Sequence, residues 1–176
     1  TSYAYAFQGN GFDFSNFYPK YDIVPTGANQ LFYAWQTAGD GQTETSLKKR
    51  LEECGVRLDI SQAATVSQMF MYGYCLTELP TLDFSSWTAG TQVFESCRAL
   101  VTIEKLIIPE TASMSRWFHS CSALENIVIE GVIGANGLNL SYSKKLTHDS
   151  LMSVINALKD YSGTSTTRTV TLGDEN

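Results

Sequence analysis

Every 24 residues the chain repeats one arrangement of apolar side chains, and few folds can satisfy that. Phe70, Phe94 and Phe118 are spaced by 24, and Gly73, Cys97 and Cys121 follow them by three. Leu76, Leu100 and Leu124 come six residues after each Phe, and Leu79, Ile103 and Ile127 nine after. Met69, Val93 and Trp117 precede the three phenylalanines, so each unit reads Phe-x-x-(Cys/Gly)-x-x-Leu-x-x-(Leu/Ile). The same period carries Leu58, Leu82 and Leu106, and then Ile60, Phe84 and Ile108. A period of this length marks an architecture in which each unit buries its apolar face against its neighbours. One unit alone has too few apolar side chains to offset the entropy of ordering its backbone. The units must therefore stack.

Within a unit, Leu100, Ile103, Leu106 and Ile108 carry the apolar positions, and the last part alternates as a short strand does. Pro109 lacks a backbone donor and suits the strand's end. Glu110 to Arg116 is small and polar and predicts a turn, and Trp117-Phe118 re-enters the core on a short helical or 3₁₀ turn.

The run Phe94-Glu-Ser-Cys97-Arg-Ala-Leu100-Val-Thr-Ile103-Glu-Lys-Leu106-Ile-Ile108-Pro109 resembles the BspA-type leucine-rich repeat of bacterial surface proteins. Phe118-His-Ser-Cys121-Ser-Ala-Leu124-Glu-Asn-Ile127 matches it next best. The resemblance covers residues 58–130; Phe32 with Trp35 begins a degenerate copy, and Phe7 a poorer one. Gly73 replaces the unit's Cys, and Glu130 stands where Leu82 and Leu106 do. The resemblance implies an α/β repeat solenoid, a right-handed leucine-rich-repeat superhelix with short parallel strands. In such a ladder, strands lie about 4.8 Å apart, so Cys97 and Cys121 would stand one above the other. Column cysteines of that kind are buried small hydrophobes rather than disulfides. Cys54, Cys75, Cys97 and Cys121 form no Cys-x-x-Cys pair either, which leaves no zinc or redox motif.

Phe32 and Phe70 are 38 apart, and the surplus holds Thr45-Ser-Leu-Lys-Lys-Arg-Leu-Glu-Glu-Cys54-Gly55. Leu47, Leu51 and Cys54 fall on one helical face, which predicts an inserted amphipathic helix ended by Gly55. Lys48, Lys49 and Arg50 read as its solvated face rather than a binding patch. At the other end Thr147 is an N-cap, with Leu146 and Leu151 placed as a hydrophobic staple. Leu151, Ile155, Leu158 and Tyr161 predict the apolar stripe of a capping helix over 148–161, ended by Gly163 and followed by a closing strand at 168–172. The whole chain reads as a single leucine-rich-repeat domain. Degenerate N-terminal units with the helical insertion fill 1–57, regular repeats 58–140, and the C-terminal cap 141–176. The segment Asn136-Gly-Leu-Asn-Leu-Ser-Tyr142 and Leu146-Thr-His-Asp-Ser-Leu151 also resemble caps on repeat proteins encoded by bacteria and their phages.

Charge narrows the function. With 12 Lys+Arg against 18 Asp+Glu the formal net charge is −6, the wrong sign for a nucleic-acid partner. No run approaches the ~18 apolar residues of a membrane span, so membrane insertion is not expected. Thr1 to Phe7 lack the basic start and apolar stretch of a secretory leader.

No catalytic, cofactor or metal site is legible. His119 and His148 have no second ligand at helical spacing, and neither reads as catalytic. There is no nucleophile elbow, metalloprotease helix or phosphate loop, and Gly9-Asn-Gly11 reads as a turn. Glu52-Glu53 and Asp174-Glu175 lack the apolar pocket that splits the pKa values of a catalytic pair. Asp59 and Asp83, one period apart, read as caps of turn backbone rather than a calcium ladder. Asn139-Leu-Ser141 fits a glycosylation sequon.

What remains is surface. Thr77, Glu78, Thr102, Glu104, Glu125 and Asn126 alternate outward between the ladder positions, and Tyr72, Tyr74 and Trp87 stand outside the core columns. Exposed aromatics beside small polar residues serve recognition or shield a flank, and both readings stay open here. The resemblance implies a non-catalytic protein- or glycan-binding adhesion module, monomeric, without cofactor, and extracellular or at the bacterial cell surface. The cap's resemblance implies an alternative, a structural or receptor-binding piece of a phage or prophage tail in the virion.

Overall fold

In a computed structural model, residues 14, 17–35, 45–88 and 90–173 are described, and they form an α/β protein with a parallel sheet of short strands and two helices. In chain order these are β1 (Thr45–Ser46), α1 (Leu47–Cys54), β2 (Leu76–Leu79), β3 (Leu82–Asp83), β4 (Thr102–Ile108), β5 (Asn126–Gly131), β6 (Leu138–Asn139), α2 (His148–Ala157) and β7 (Val170–Thr171). The main sheet runs β1-β2-β4-β5, with β3 beside the far half of β4, and every pairing is parallel.

The register carries the sequence period into space. Glu78 lies opposite Thr102, Leu79 opposite Ile103, and Leu82 opposite Leu106, all 24 residues apart. β2 and β3 lie end to end along the same side of β4, interrupted at Pro80, which has no N–H for the ladder. Thr81 next to it donates its N–H to the Glu104 carboxylate at 3.0 Å instead. Between β4 and β5 the register slips by one between Ile103 and Leu106, so Ile129 rather than Glu130 faces Leu106. Glu130 then sits opposite Ile107 and stays exposed. The acidic residue in an apolar column is thus removed from the core by a bulge.

A second set of parallel hydrogen bonds joins the turns on the other side of the core. Gln68, Phe70 and Tyr72 donate backbone N–H to the carbonyls of Thr91, Val93 and Glu95 at 2.9, 2.8 and 3.0 Å. Gln92, Phe94 and Ser96 repeat this toward Ser115, Trp117 and His119 at 3.5, 3.2 and 2.7 Å. Gln30, Phe32 and Ala34 do the same toward Ser67, Met69 and Met71, each at 2.8 Å. The turns reach this geometry by placing Gln30, Ala34, Gln68, Tyr72, Gln92, Ser96, Arg116 and Ser120 in the left-handed region, with φ between 51° and 64°.

Sheet and turn ladder enclose one core. Phe32, Phe70, Phe94 and Phe118 are fully buried and stack ring on ring, with centroids 5.2, 5.6 and 5.6 Å apart and planes within 11° of parallel. Phe7, the poorer copy, lies outside the described residues. All four cysteines are free thiols. Cys97 and Cys121 are buried and donate Sγ–H to the carbonyls of Phe70 and Phe94, one unit back, at 2.9 and 3.1 Å. Burial pushes the Cys97 thiol up to about 12. Trp87, expected at the surface, is 3% exposed and packs edge-on to Trp117 with centroids 5.3 Å apart. The turn after Phe84 folds that indole inward, over the core.

Both helices fall where the sequence places them, with two corrections. α1 starts at the Ser46 cap and stops at Gly55, which takes φ +64° and closes the last turn. Two of its three basic residues are engaged, whereas Lys49 is solvated as expected. Lys48 pairs with Glu78 and Glu104, and Arg50 donates to the Phe17 carbonyl at 2.8 Å beneath the Tyr18 ring. α2 begins at the Thr147 cap but ends at Ala157 rather than 161, because Leu158 turns extended and bridges to Ile133. Gly163 instead lies in a later turn, at φ +77°. The buried face of α2 is Ser150, Val154 and Ala157, while Ile155 is 48% exposed.

The reason is that α2 lies along an open strand edge. Ser150 Oγ accepts the N–H of Ile127 at 3.0 Å and donates to the Glu125 carbonyl at 2.9 Å. Ser153 Oγ accepts the N–H of Ile129 at 2.8 Å. Two serines therefore do for β5 what another strand would do. Ahead of α2, Leu140, Ser143 and Leu146 repeat the turn pattern of Phe118, Cys121 and Leu124, with bonds from Ser143 N–H to the Leu140 carbonyl and from Leu146 N–H to the Ser143 carbonyl. The closing strand β7 pairs in parallel with β6, Leu138 opposite Val170.

Candidate interaction surface

The expected surface residues separate into two groups by element. The first lies on the strands. Ser46 Oγ–H donates to Glu78 at 2.7 Å, and Lys48 Nζ lies 3.7 Å from Glu78 and 3.1 Å from Glu104. Glu104 also takes the Thr81 hydroxyl, and Asn126 reaches the Thr102 hydroxyl at 3.5 Å. Lys48 and the Thr81 donors hold the Glu104 carboxyl below the usual range against the opposing effect of burial. Glu125 contributes through its backbone, whose carbonyl receives Ser150 Oγ–H and the Thr147 N–H. The Glu78 and Glu104 carboxylates thus hold α1 against the sheet.

The second group lies on the turn ladder. Tyr72 is half-buried and Tyr74 is 40% exposed. Tyr33 packs edge-on to Tyr72 with centroids 5.6 Å apart, and Tyr72 tilts against Tyr74 at 5.9 Å. One unit after Tyr74, the Arg98 guanidinium sits over its ring at 5.7 Å. Burial, then the neighbouring phenols of Tyr72 and Tyr74, raise the Tyr33 hydroxyl, which stays protonated.

Beside these rings is a polar cluster. Glu95 is 4% exposed, and both its oxygens take hydrogen bonds from Arg116, Nε at 3.1 Å and Nη2 closer still. Gln92 donates to the same carboxylate at 2.6 Å, and His119 Nδ1 stands 3.7 Å away. Burial pushes the Glu95 carboxyl up, but the Arg116 and Gln92 bonds and the Arg116 and His119 charges outweigh it, and the net shift is downward. A glutamine file leads to the cluster: Gln30 donates to Gln68, and Gln68 to Gln92 at 3.3 Å. At the far side the His119 ring lies 4.4 Å from that of Tyr142, which is 47% exposed. Ser96 and Ser120 fall in the same column of the turn ladder as Tyr72, so small residues separate the two exposed aromatics.

Sequence reasoning found Tyr72 and Tyr74 but not Arg98, Glu95, Arg116, His119 and Tyr142 as their neighbours. The signal was there in the period. Gln68, Gln92 and Arg116 are 24 apart, as are Tyr74 and Arg98, and Tyr72, Ser96 and Ser120. Asp59 and Asp83 each accept the N–H of the Ser two residues on, at 3.0 and 2.8 Å, which makes them turn caps. Among the described residues no three His, Cys, Asp or Glu side chains converge as a metal ion would require, and no helix is long and apolar enough to cross a membrane.

The second group is a fixed array of ring edges, phenols and guanidinium groups on a hydrogen-bonded frame, in which Ser120 Oγ also lies 3.2 Å from His119 Nδ1. Compared with protein-family models, curated proteins and solved structures, the chain matches none of them.

Proposed function

We propose that this chain is a non-catalytic binding module, a right-handed leucine-rich-repeat solenoid of the BspA type working at a bacterial cell surface. The 24-residue register of the parallel strands, the parallel turn ladder and the Phe stack support the solenoid reading. One observation carries the binding reading. Tyr72, Tyr74, Arg98, Arg116 and Tyr142 lie together on the turn ladder, and a buried carboxylate holds the central guanidinium in place. Rigid tyrosines and arginines lose little entropy on contact and dominate protein recognition surfaces. The partner is a protein or glycan, and the module acts as a monomer outside the cell.

The reading is tested by screening the purified chain against a glycan array and a displayed random-peptide library. Ligands should emerge whose capture falls at least tenfold in a Tyr74→Ala, Tyr142→Ala double variant that melts like the parent. Ligands held equally by both proteins would place binding elsewhere and sink the reading.

A further inference from the structure

Building on that surface reading, we infer that the tyrosine–arginine strip receives an acidic peptide segment, with a ligand carboxylate on the outer edge of Arg116. Arg116 uses Nε and Nη2 on Glu95, so the guanidinium plane is fixed before any ligand arrives. Its side chain is nonetheless 54% exposed, and among the described residues it has no further hydrogen-bond partner. A guanidinium bound along one edge keeps N–H donors on the other, and that fork matches a second planar carboxylate. A fixed fork loses less entropy on binding than a free one.

Charge around it has the right sign. Glu95 and Arg116 cancel in net charge, which leaves the positive charge of Arg98 to set the sign of the strip. Arg98 has no carboxylate within 4.0 Å among the described residues and rests only on the Tyr74 ring. The phenols of Tyr72, Tyr74 and Tyr142 make no hydrogen bond among the described residues, which leaves three O–H donors beside the two arginines. On a chain of net charge −6 this strip gathers cations and donors with no free carboxylate of its own.

Ring geometry favours peptide over sugar. A pyranose stacks on a flat, open aromatic face, and each of these rings already has a neighbour against it. Tyr33 and Tyr72 meet at 80°, Arg98 covers Tyr74, and His119 lies against Tyr142. What the rings offer is edges and hydroxyls, which suit carboxylates and peptide carbonyls.

The test is titration of the whole chain with a blocked eight-residue peptide of alternating Glu and Gly, followed by amide NMR shifts and fluorescence anisotropy. Binding should weaken about tenfold in Arg116→Lys, which keeps the charge and loses the fork. It should also weaken severalfold in Arg98→Gln and Tyr142→Ser, whose exposed side chains leave the fold intact. The two latter variants keep the test decisive if loosening Glu95 unsettles Arg116→Lys. No binding, equal binding of an alternating Gln and Gly peptide, or affinity unchanged in Arg98→Gln and Tyr142→Ser each overturns the proposal. If a uronic-acid oligosaccharide binds through the same residues and the peptide does not, the acidic-peptide inference fails while the binding-module reading stands.

Discussion

Ser143 holds the place in its unit that Cys97 and Cys121 hold in theirs, but not their hydrogen bond. Its hydroxyl is fully buried and has no hydrogen-bond partner among the described residues, whereas both thiols reach a carbonyl one unit back. An unpaired buried hydroxyl costs about 1–3 kcal/mol. Ser143→Cys, with its longer reach, should therefore raise stability by about 1 kcal/mol, or roughly 2–4 °C in melting temperature. A melting curve unchanged or shifted downward would show that the column geometry does not extend this far. Glu95 gives the second residue-scale expectation. Its folded pKa lies below the unfolded value of about 4.3, so its contribution is complete above that value and is lost as pH falls through the folded pKa. Urea unfolding from pH 6 to pH 3 should show a steeper loss of stability for the parent than for Glu95→Gln. Parallel curves would mean that the carboxylate is not held by its neighbours. The cysteine column was legible because two thiols stand 24 apart, whereas Ser143 follows Cys121 by only 22 and Leu140 replaces the Phe. A period search built on identity misses such a copy; only the repeated backbone bonds reveal it.

The element with most at stake is α2, because it closes a sheet edge. Ser→Ala inside a helix normally gains a few tenths of a kcal/mol from propensity. At Ser150 the sign should reverse, since the change orphans the Ile127 N–H. A loss of about 1–3 kcal/mol is expected, with Asn156→Ala, at an exposed position, as the propensity control. Equal or greater stability of Ser150→Ala would show that the helix does not seal the strand. The helix itself was legible: Thr147, Leu146 and Leu151 mark its start by local chemistry. Its orientation was not, because an apolar stripe predicts contact with a core face. This helix meets a strand edge, whose N–H groups call for hydroxyls. α1 shows the complementary case, with bounds set by Ser46 and Gly55 and so readable residue by residue, but with Lys48 committed to strands 30 and 56 residues on.

Across the whole molecule, the Phe stack runs through the described core from Phe32 to Phe118. Removing a middle ring leaves a void bounded by its neighbours on both sides, so Phe94→Ala should cost about 3–5 kcal/mol. Calorimetry that finds the variant melting within a degree or two of the parent would rule out the stacked core. Strand register and ring columns were readable from the 24-residue spacing. The one-residue slip that turns Glu130 outward was not, because a bulge preserves composition and shifts only the pairing. The turn ladder was equally hidden, since it is made of backbone groups whose geometry depends on left-handed residues that are not glycine. That last feature has an effect on how such a surface can diversify. Glycine would adopt those bends with least strain, yet Tyr72, Ser96, Arg116 and Ser120 occupy them. At Tyr72, Arg116 and Ser120 the bend also brings a side chain at least partly into solvent, outside the Phe and Cys columns, whereas Ser96 is buried. These corners are therefore positions where side-chain identity can change without touching the buried columns that keep the chain folded.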